Sequence, residues 1–407
     1  MSDRSAFGTP AHVPPDLVFP SPIRLGAPAT ADPYKVLIPE LHANAPEVFY
    51  APGSHLSGGG TWIPRRAEDI RAVMLDAESF SSAAQTGLSR LIGQDWDLIP
   101  VEIDPPRHGA YRALLNPLFS PKNIARLEAS MRTTADTLLD RFAEAGEVDF
   151  VDAFAAPFPV SIFLHLLDLP VEEMPMFLEW ERKLIHSSDV AVKVEGALAI
   201  VRYLEDAIAA RRRQPGEDFI SYVVGQSIDG QALSQNEIIS IVFQLYLGGL
   251  DTVSQVMAWQ FKHLAETPED QRAIREGHYD IDRVLEELLR AFPVVSSFRT
   301  CRKATTIRGV QIAPGDIVTV STPIASRDPV TCEAPAEVRF EREPSPHITF
   351  AYGPHRCIGS HLARMELRIA LERVHARLKS FRLRDETAPG PMHFGSILGL
   401  GQLDLVW

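Results

Sequence analysis

The sequence predicts a mainly helical protein with a minor β portion, and three observations carry that expectation. A stretch of ~30 residues opening at Ser234 keeps one helical apolar face until Pro268 closes it; at 1.5 Å per residue it spans about 45 Å, enough to cross a domain. Helical periodicity recurs through most of the chain between residues 104 and 292. Strand-like runs bounded by glycine turns are confined to short regions near residues 48–63 and 307–320. Nothing repeats at a fixed period.

In chain order, residues 1–33 hold seven prolines and read as an extended arm with a mobile tip. Val48-Phe49-Tyr50 and Thr61-Trp62-Ile63 read as short strands joined by the Gly58-Gly59-Gly60 turn. Ala67 to Leu75 reads as a short helix. From Phe80 to Pro100 the pattern breaks at Gly87, Gly93 and Pro100, leaving Leu91, Ile92, Trp96 and Leu98 in loop-like context. A long irregular loop in a compact protein is usually functional or mobile. Asp104 is the expected N-cap of the next helix, with Pro105 and Pro106 in its first turn. Further helices are expected over 124–145, 160–167, 175–186, 192–213 and 218–224.

The long helix has the clearest start, a capping box of Ser234 with Glu237 three residues on. It should be buried along most of its length. Another helix runs from Ile281 to Phe292, ended by Pro293. Residues 307–312 and 314–320 read as a hairpin turning at Pro314-Gly315, and Leu398 to Trp407 as strand or loop.

The 407 residues, 45% hydrophobic and 23% charged, have the composition of an ordinary globular protein with room for a large core. Length alone suggests two or three domains. The chemistry-bearing motifs instead span about two-thirds of the chain, as in one domain (residues 34–407) closing over one site. A net charge of −13 argues against non-specific nucleic-acid binding, while leaving room for a local basic patch. Three cysteines, Cys301, Cys332 and Cys357, suggest no disulfide framework and a reducing, cytoplasmic compartment. No signal peptide and no membrane anchor is read.

The chain is organised around Phe350-Ala351-Tyr352-Gly353-Pro354-His355-Arg356-Cys357-Ile358-Gly359. It places one cysteine in a glycine- and proline-punctuated loop just before an expected helix from Ser360. Helix N–H groups and the helix dipole favour a thiolate there. Gly353 and Gly359 let the backbone bend closely around whatever the sulfur binds. The alternatives are a buried structural cysteine and a zinc site of His355, Cys357 and His361, for which no second cysteine is near.

Gly248-Gly249-Leu250-Asp251-Thr252 lies in the middle of the long helix. Two glycines cost roughly 1 kcal/mol each there, and a buried acid beside a hydroxyl adds to that. Penalties gathered in one place point to a functional site. Thr252 can bond a carbonyl of its own helix or a ligand, and Asp251 can relay protons. The alternative is glycine-mediated helix packing. Glu287 and Arg290 share a helix face, as do His108 and Arg112.

The loop order, Phe, two residues, Gly, three residues, Cys, one residue, Gly, resembles the haem-binding loop of the cytochrome P-450 superfamily, the haem-thiolate monooxygenases. Phe350, Gly353, Cys357 and Gly359 fill it. The resemblance implies the cytochrome P-450 fold around a buried haem b, with Cys357 as proximal iron ligand, its thiolate favouring O–O cleavage. Gly248, Gly249, Asp251 and Thr252 are similar to the superfamily's oxygen-activation motif. The roles implied are an oxygen groove at the glycines, proton delivery by Asp251 and a steadying hydrogen bond from Thr252. Glu287 and Arg290 match its Glu-x-x-Arg pair, with Arg342 as the third member of a structural ion network. His108, Arg112, Arg299 and His355 match positions that clamp the haem propionates, which need paired donors.

The likeness covers nearly the whole chain and is similar to the soluble bacterial camphor hydroxylase family, which takes electrons from a [2Fe–2S] ferredoxin. Arg112 also matches a docking position for that partner. Trp96 stands where that family has a tyrosine donor, which argues against camphor itself. Gln244 and Tyr246 add polar groups upstream of the glycines. The expected substrate is a small apolar terpenoid or norisoprenoid, with Trp96, Leu247, Val295, Ser396 and Ile397 as pocket candidates. The expected reaction is hydroxylation of an unactivated C–H bond with O2. The rival readings are a haem-thiolate peroxygenase or reductase and a non-catalytic haem-binding sensor.

Overall fold

The computed structural model describes residues 8–23, 31–55, 58–343, 346–385 and 392–407. The tip of the arm, residues 1–7, lies outside them, as do residues 24–30. The chain forms two compact units, one drawn from residues 1–85, 277–357 and 389–401, the other from 86–276, 358–388 and 402–407.

The first unit is built on a five-stranded sheet. Val48–Ala51 pairs antiparallel with Thr61–Pro64, setting Tyr50 opposite Trp62 as the alternation of apolar residues predicts. Their rings meet edge to face at 5.4 Å. Ile317–Ser321 pairs parallel at Trp62 and antiparallel with Ser296–Cys301, and Phe80–Ser81 closes the far edge. All side chains of Val48–Ala51 and Thr61–Pro64 are buried, so these strands sit inside the unit. The described arm lies on this sheet: the Phe19 N–H donates to the Tyr50 carbonyl at 3.0 Å, and His12 Nε2 meets Asp316 at 3.0 Å. Asp32 then caps the turn Pro33–Leu37, its carboxylate accepting from the N–H groups of Tyr34 and Lys35. Helices Ala67–Leu75 and Ile281–Ala291 keep their expected bounds to within a residue. The second buries Val284, Leu285, Leu288 and Leu289, each worth about 1.5–3 kcal/mol of apolar transfer.

One expected pairing is corrected. Val310–Ile312 pairs with Thr305–Ile307, across Arg308-Gly309, and not with the strand beyond Pro314-Gly315. Arg308 (φ 48°) and Gly309 (φ 79°) both adopt the left-handed conformation, which suits a two-residue hairpin turn. Pro314-Gly315 does form a turn, with the Asp316 N–H on the Ala313 carbonyl at 3.0 Å, but it leads from one sheet to another.

The second unit is mainly helical. Its helices include Arg107–Leu115, Glu128–Asp140, Pro157–Leu166, Val190–Arg213, Gln235–Gly249, Asp251–Glu266 and Ser360–Arg377. Phe150, Phe154 and Phe158 stack in series, and Phe150 meets Phe261 at 4.5 Å. Asp404–Val406 forms the middle strand of a small sheet with Glu147–Asp149 and Arg382–Leu383. Asp104 is not the helix N-cap. The helix starts at Arg107 after Pro106, because a residue preceding proline is pushed out of the helical region and both Asp104 and Pro105 precede one. The helix expected over 124–145 ends at Asp140, ahead of Gly146 at φ 79°.

The irregular stretch is held at its base by one buried side chain. Glu102 accepts from the Thr86 N–H and hydroxyl, both at 2.7 Å, and from the Leu98 N–H at 2.9 Å. Ser240 on the long helix fastens it again, accepting from the Ile99 N–H at 2.8 Å and donating to the Asp97 carbonyl. Among the described residues, no helix is long and apolar enough to cross a membrane.

Candidate functional site

The cysteine loop is wound tightly by two left-handed residues, Ala351 (φ 59°) and Gly353 (φ 72°). A Cβ on Gly353 would stand 2.9 Å from the Met74 carbonyl oxygen, so position 353 needs glycine for space as well as conformation. Gly359 has an ordinary φ of −81° at the N-cap of the helix Ser360–Arg377, an angle open to any residue. The Cys357 N–H donates to the Phe350 carbonyl at 2.8 Å, closing the loop on its first residue. Cys357 is exposed, whereas Cys301 and Cys332 are buried.

Ser234 and Glu237 form the expected capping box. The long helix then breaks where the glycines and the acid lie: one segment ends at Gly249, the next starts at Asp251, and Leu250 between them has φ −100° and ψ −74°. Asp251 thereby becomes the first residue of a new helix, where unsatisfied N–H groups favour negative charge. It is 2% exposed. Its Oδ1 accepts from Gln255 Nε2 at 3.0 Å and lies 3.4 Å from His186 Nε2. The Thr252 hydroxyl donates to the Gly248 carbonyl at 2.8 Å, bridging the break.

One strip of this helix pair stays open. Gly248 is exposed, and Leu247, Gly249 and Thr252 are partly so, while Asp251 and Val253–Gln260 are buried. A Cβ on Gly249 would meet nothing within 4 Å. The Gln244 amide lies along the same strip, 3.1 Å from where a Cβ on Gly248 would be. Tyr246 points the other way, its hydroxyl donating to the Phe177 carbonyl at 2.9 Å. Trp96 is buried edge to face against Phe243 at 5.6 Å, and its indole N–H donates to Gln94 Oε1 at 3.2 Å.

His108 is buried on the helix Arg107–Leu115, while Arg112 on the same helix donates to Asn116 at 2.9 Å. Burial, with help from the Arg112 guanidinium, lowers the His108 pKa below the usual imidazole value. In the first unit, Arg299 is buried in its strand and donates to Gln85 Oε1 at 3.2 Å and to the Phe298 carbonyl at 2.7 Å. Val295 and Ile397 form an isolated antiparallel bridge, and the Ser296 N–H donates to the Ser396 carbonyl at 2.8 Å. Three pocket candidates thus stand together, each partly exposed. Arg342 joins the Glu287–Arg290 pair through Glu287 Oε1 at 3.2 Å.

An iron porphyrin, the group implied above, asks for a sulfur on a loop, cationic donors for two carboxylates and a helix strip with room beside it. In the first unit the exposed Cys357 and the Arg299 guanidinium are groups of those types; in the second unit the Arg112 guanidinium is such a donor, and the strip at Gly249 and Thr252 leaves room.

Glu181 and His186 were not anticipated. Glu181 is buried, and burial together with the Asp251 charge raises its pKa well above the usual carboxylate range, with Arg182 opposing. Both lie on a helix and turn remote in sequence from Asp251, so no spacing rule points to them.

The cytochrome P450 family model matches residues 161–278 and 280–403. A probable cytochrome P450 127A1 of Sinorhizobium fredii is 36% identical over 404 residues, covering 98% of this chain and 96% of that protein. A steroid C26-monooxygenase of Mycolicibacterium smegmatis is 30% identical over 300 residues, 72% of this chain and 75% of that one. The crystal structure of CYP101J2 superposes with a TM-score of 0.87 at 32% identity, covering 98% of this chain and 99% of that one.

Proposed function

The chain belongs to the cytochrome P450 family, and from that premise we propose that it hydroxylates an unactivated C–H bond of a small apolar terpenoid or norisoprenoid with electrons from a [2Fe–2S] ferredoxin. It is a haem-dependent monooxygenase, an oxidoreductase that incorporates one atom of O2. The bound haem supplies the oxygen chemistry; the protein supplies a ligand, protons and orientation.

In this reading Cys357 is the iron ligand, held by a loop whose turn at Gly353 tolerates no side chain. Phe350 shields it, and His108, Arg112, Arg299 and His355 hold the two carboxylates. Residues 34–407 act as one catalytic domain, a reading supported by relatives matched over nearly their whole length, and its expected compartment is the cytoplasm. Asp251 carries protons and Thr252 presents its hydroxyl at the helix break. The observation that carries the reading is the strip Gly248, Gly249, Thr252, open at the helix break while Asp251 and Val253–Gln260 beside it are buried. The substrate contacts in this reading are Leu247 and the buried Trp96 in the second unit and the adjoining Val295, Ser396 and Ile397 in the first. The indole N–H is already used by Gln94, which favours a substrate with no polar anchor at that point. Glu287, Arg290 and Arg342 hold the loop's framework.

Leu75 and Tyr352 are exposed apolar side chains of the first unit, 54% and 42% accessible, and the Arg71 guanidinium lies 6.0 Å over the Tyr352 ring. A cation over an exposed aromatic suits an acidic partner with an apolar centre, as a ferredoxin provides.

The test is a spectral screen of terpenoids against the purified haem protein, followed by turnover with ferredoxin, its reductase and O2. A terpenoid that displaces the iron-bound water and is hydroxylated under ferredoxin supports the reading. Turnover with peroxide alone makes it a peroxygenase, and carbon monoxide binding without any product makes it a sensor.

A further inference from the structure

Gln244 lies one turn before Gly248 on the helix Gln235–Gly249 and is partly exposed. Its Nε2 stands 3.1 Å from where a Cβ on Gly248 would be, so glycine at 248 leaves the amide its room. Its Oε1 is buried and, among the described residues, has no hydrogen-bond partner. The neighbouring side chains are occupied or apolar. Phe243 meets Trp96, and the Tyr246 hydroxyl donates to the Phe177 carbonyl. Thr252, further along the strip, donates to the Gly248 carbonyl at 2.8 Å. Gln244 is the polar side chain of this turn that still has an acceptor to fill.

We propose that Gln244 is a specificity-determining residue: its amide takes the hydroxyl group of a terpenoid or norisoprenoid alcohol, and the C–H attacked lies one turn away, beside Gly248. The proposal rests on the oxygen-activating reading of the strip and narrows the substrate class given there.

Buried acceptors are nearly always paired, and one beside an open strip asks for a donor from the ligand. The last torsion of a glutamine side chain is broad and two-fold, so the carbonyl can turn towards the strip. A hydroxyl fills it, because its O–H donates while the same oxygen can still accept. A ketone or ether only accepts; it can meet the amide N–H2 but leaves Oε1 unpaired. A hydrocarbon meets neither end. The amide is neutral, which favours an uncharged ligand group over a carboxylate or ammonium that would need a counter-charge.

The spacing also selects the product. Gln244 and Gly248 are four residues apart, about 6 Å along the helix. A hydroxyl held at Gln244 keeps its own carbon away from the glycines and presents a C–H several bonds distant. The reaction then yields a diol. One C–H bond and one O–O bond break, one C–O–H group forms, and the other oxygen atom leaves as water with two protons and the two electrons of the ferredoxin.

The test uses the haem protein and three probes of one carbon skeleton: β-ionol, β-ionone and the deoxygenated hydrocarbon. Spectral titration should find the alcohol bound about tenfold tighter than either of the others, the value of one net hydrogen bond. Gln244→Leu and Gln244→Met, which lack the amide, should each bring the alcohol level with the hydrocarbon. Turnover of β-ionol with ferredoxin, its reductase and O2 should give a ring-hydroxylated diol in the parent and a mixture containing β-ionone in the variants. A purely structural role for Gln244 would weaken all three probes alike and leave the product ratio as it is. Equal binding of alcohol and hydrocarbon by the parent, an alcohol preference that survives both substitutions, or β-ionone as the parent's main product from β-ionol overturns the proposal. If no probe binds or none is hydroxylated, the terpenoid reading itself falls and Gln244 with it. If all three are hydroxylated without regard to the hydroxyl group, the assignment of Gln244 alone falls.

Discussion

The Glu287 carboxylate and the Arg290 guanidinium, one turn apart on a single helix, meet through two hydrogen bonds of 2.8 Å. Both are buried. Arg290 also donates to the Pro335 and Glu337 carbonyls, and Glu287 Oε1 accepts from the Arg339 N–H at 2.9 Å and from Arg342. The pair thus pins the stretch 335–342, which carries no regular structure, to the helix Ile281–Ala291.

Arg290→Ala strands a buried carboxylate and should cost about 3–5 kcal/mol. Arg290→Lys keeps the charge but loses the planar fork, and should fall between that variant and the parent. Urea midpoints, with haem absorbance followed in parallel, check both; a Lys variant as stable as the parent would show that the fork is dispensable.

Thr252→Ala removes a hydroxyl that spans the helix break without filling or emptying a core site. Stability should change by no more than about 1 kcal/mol. The expected effect is on coupling: reducing equivalents consumed per product rise, and the excess appears as hydrogen peroxide. Peroxide and product assays read this directly.

At Trp96 the indole N–H is committed to Gln94. A terpenoid ketone and its parent hydrocarbon should therefore bind within a few-fold of each other. Trp96→Tyr supplies a free hydroxyl and should favour the ketone by about tenfold, the value of one well-placed hydrogen bond. Spectral titration of both ligands against both proteins measures it.

The helix Ser360–Arg377 carries two buried titratable groups with opposite pH dependence. His375 bonds the Leu371 carbonyl through Nδ1 at 2.7 Å, and burial lowers its pKa from 6.5 to about 4. Unfolded chain takes up this proton near 6.5 and folded chain only near 4, so stability falls as pH drops through that window, by about 3 kcal/mol in all. Glu366 is raised well above 4.5 by burial. Its contribution is complete below its unfolded value and is lost as pH rises through the folded one. His375→Gln should flatten the acid limb of a stability–pH curve, and Glu366→Gln the alkaline limb. Urea midpoints across the pH range test the two slopes separately.

Much of this was legible in the sequence because the signals are local. Ser234 and Glu237 announce a helix start within four residues, and Gly248, Gly249 and Asp251 gather enough penalties to mark the break that the structure has at Leu250. What escaped depended on choices between partners. Arg308-Gly309 lacks the Asn or Asp that usually marks a tight hairpin, so Pro314-Gly315 is the stronger turn signal in the sequence. Asp104 looks like a cap until the two prolines behind it are counted as one constraint. His186 and Glu181 reach Asp251 through tertiary packing, which periodicity does not encode.

Glu102 has a consequence for how this scaffold diversifies. A single carboxylate ties Thr86 to Leu98, and Ser240 fastens the far end to the long helix. The stretch between them behaves as an interchangeable cassette on a fixed mount, with Trp96 riding on it. Substitutions within it should leave both fastenings, and the long helix they are tied to, as they are.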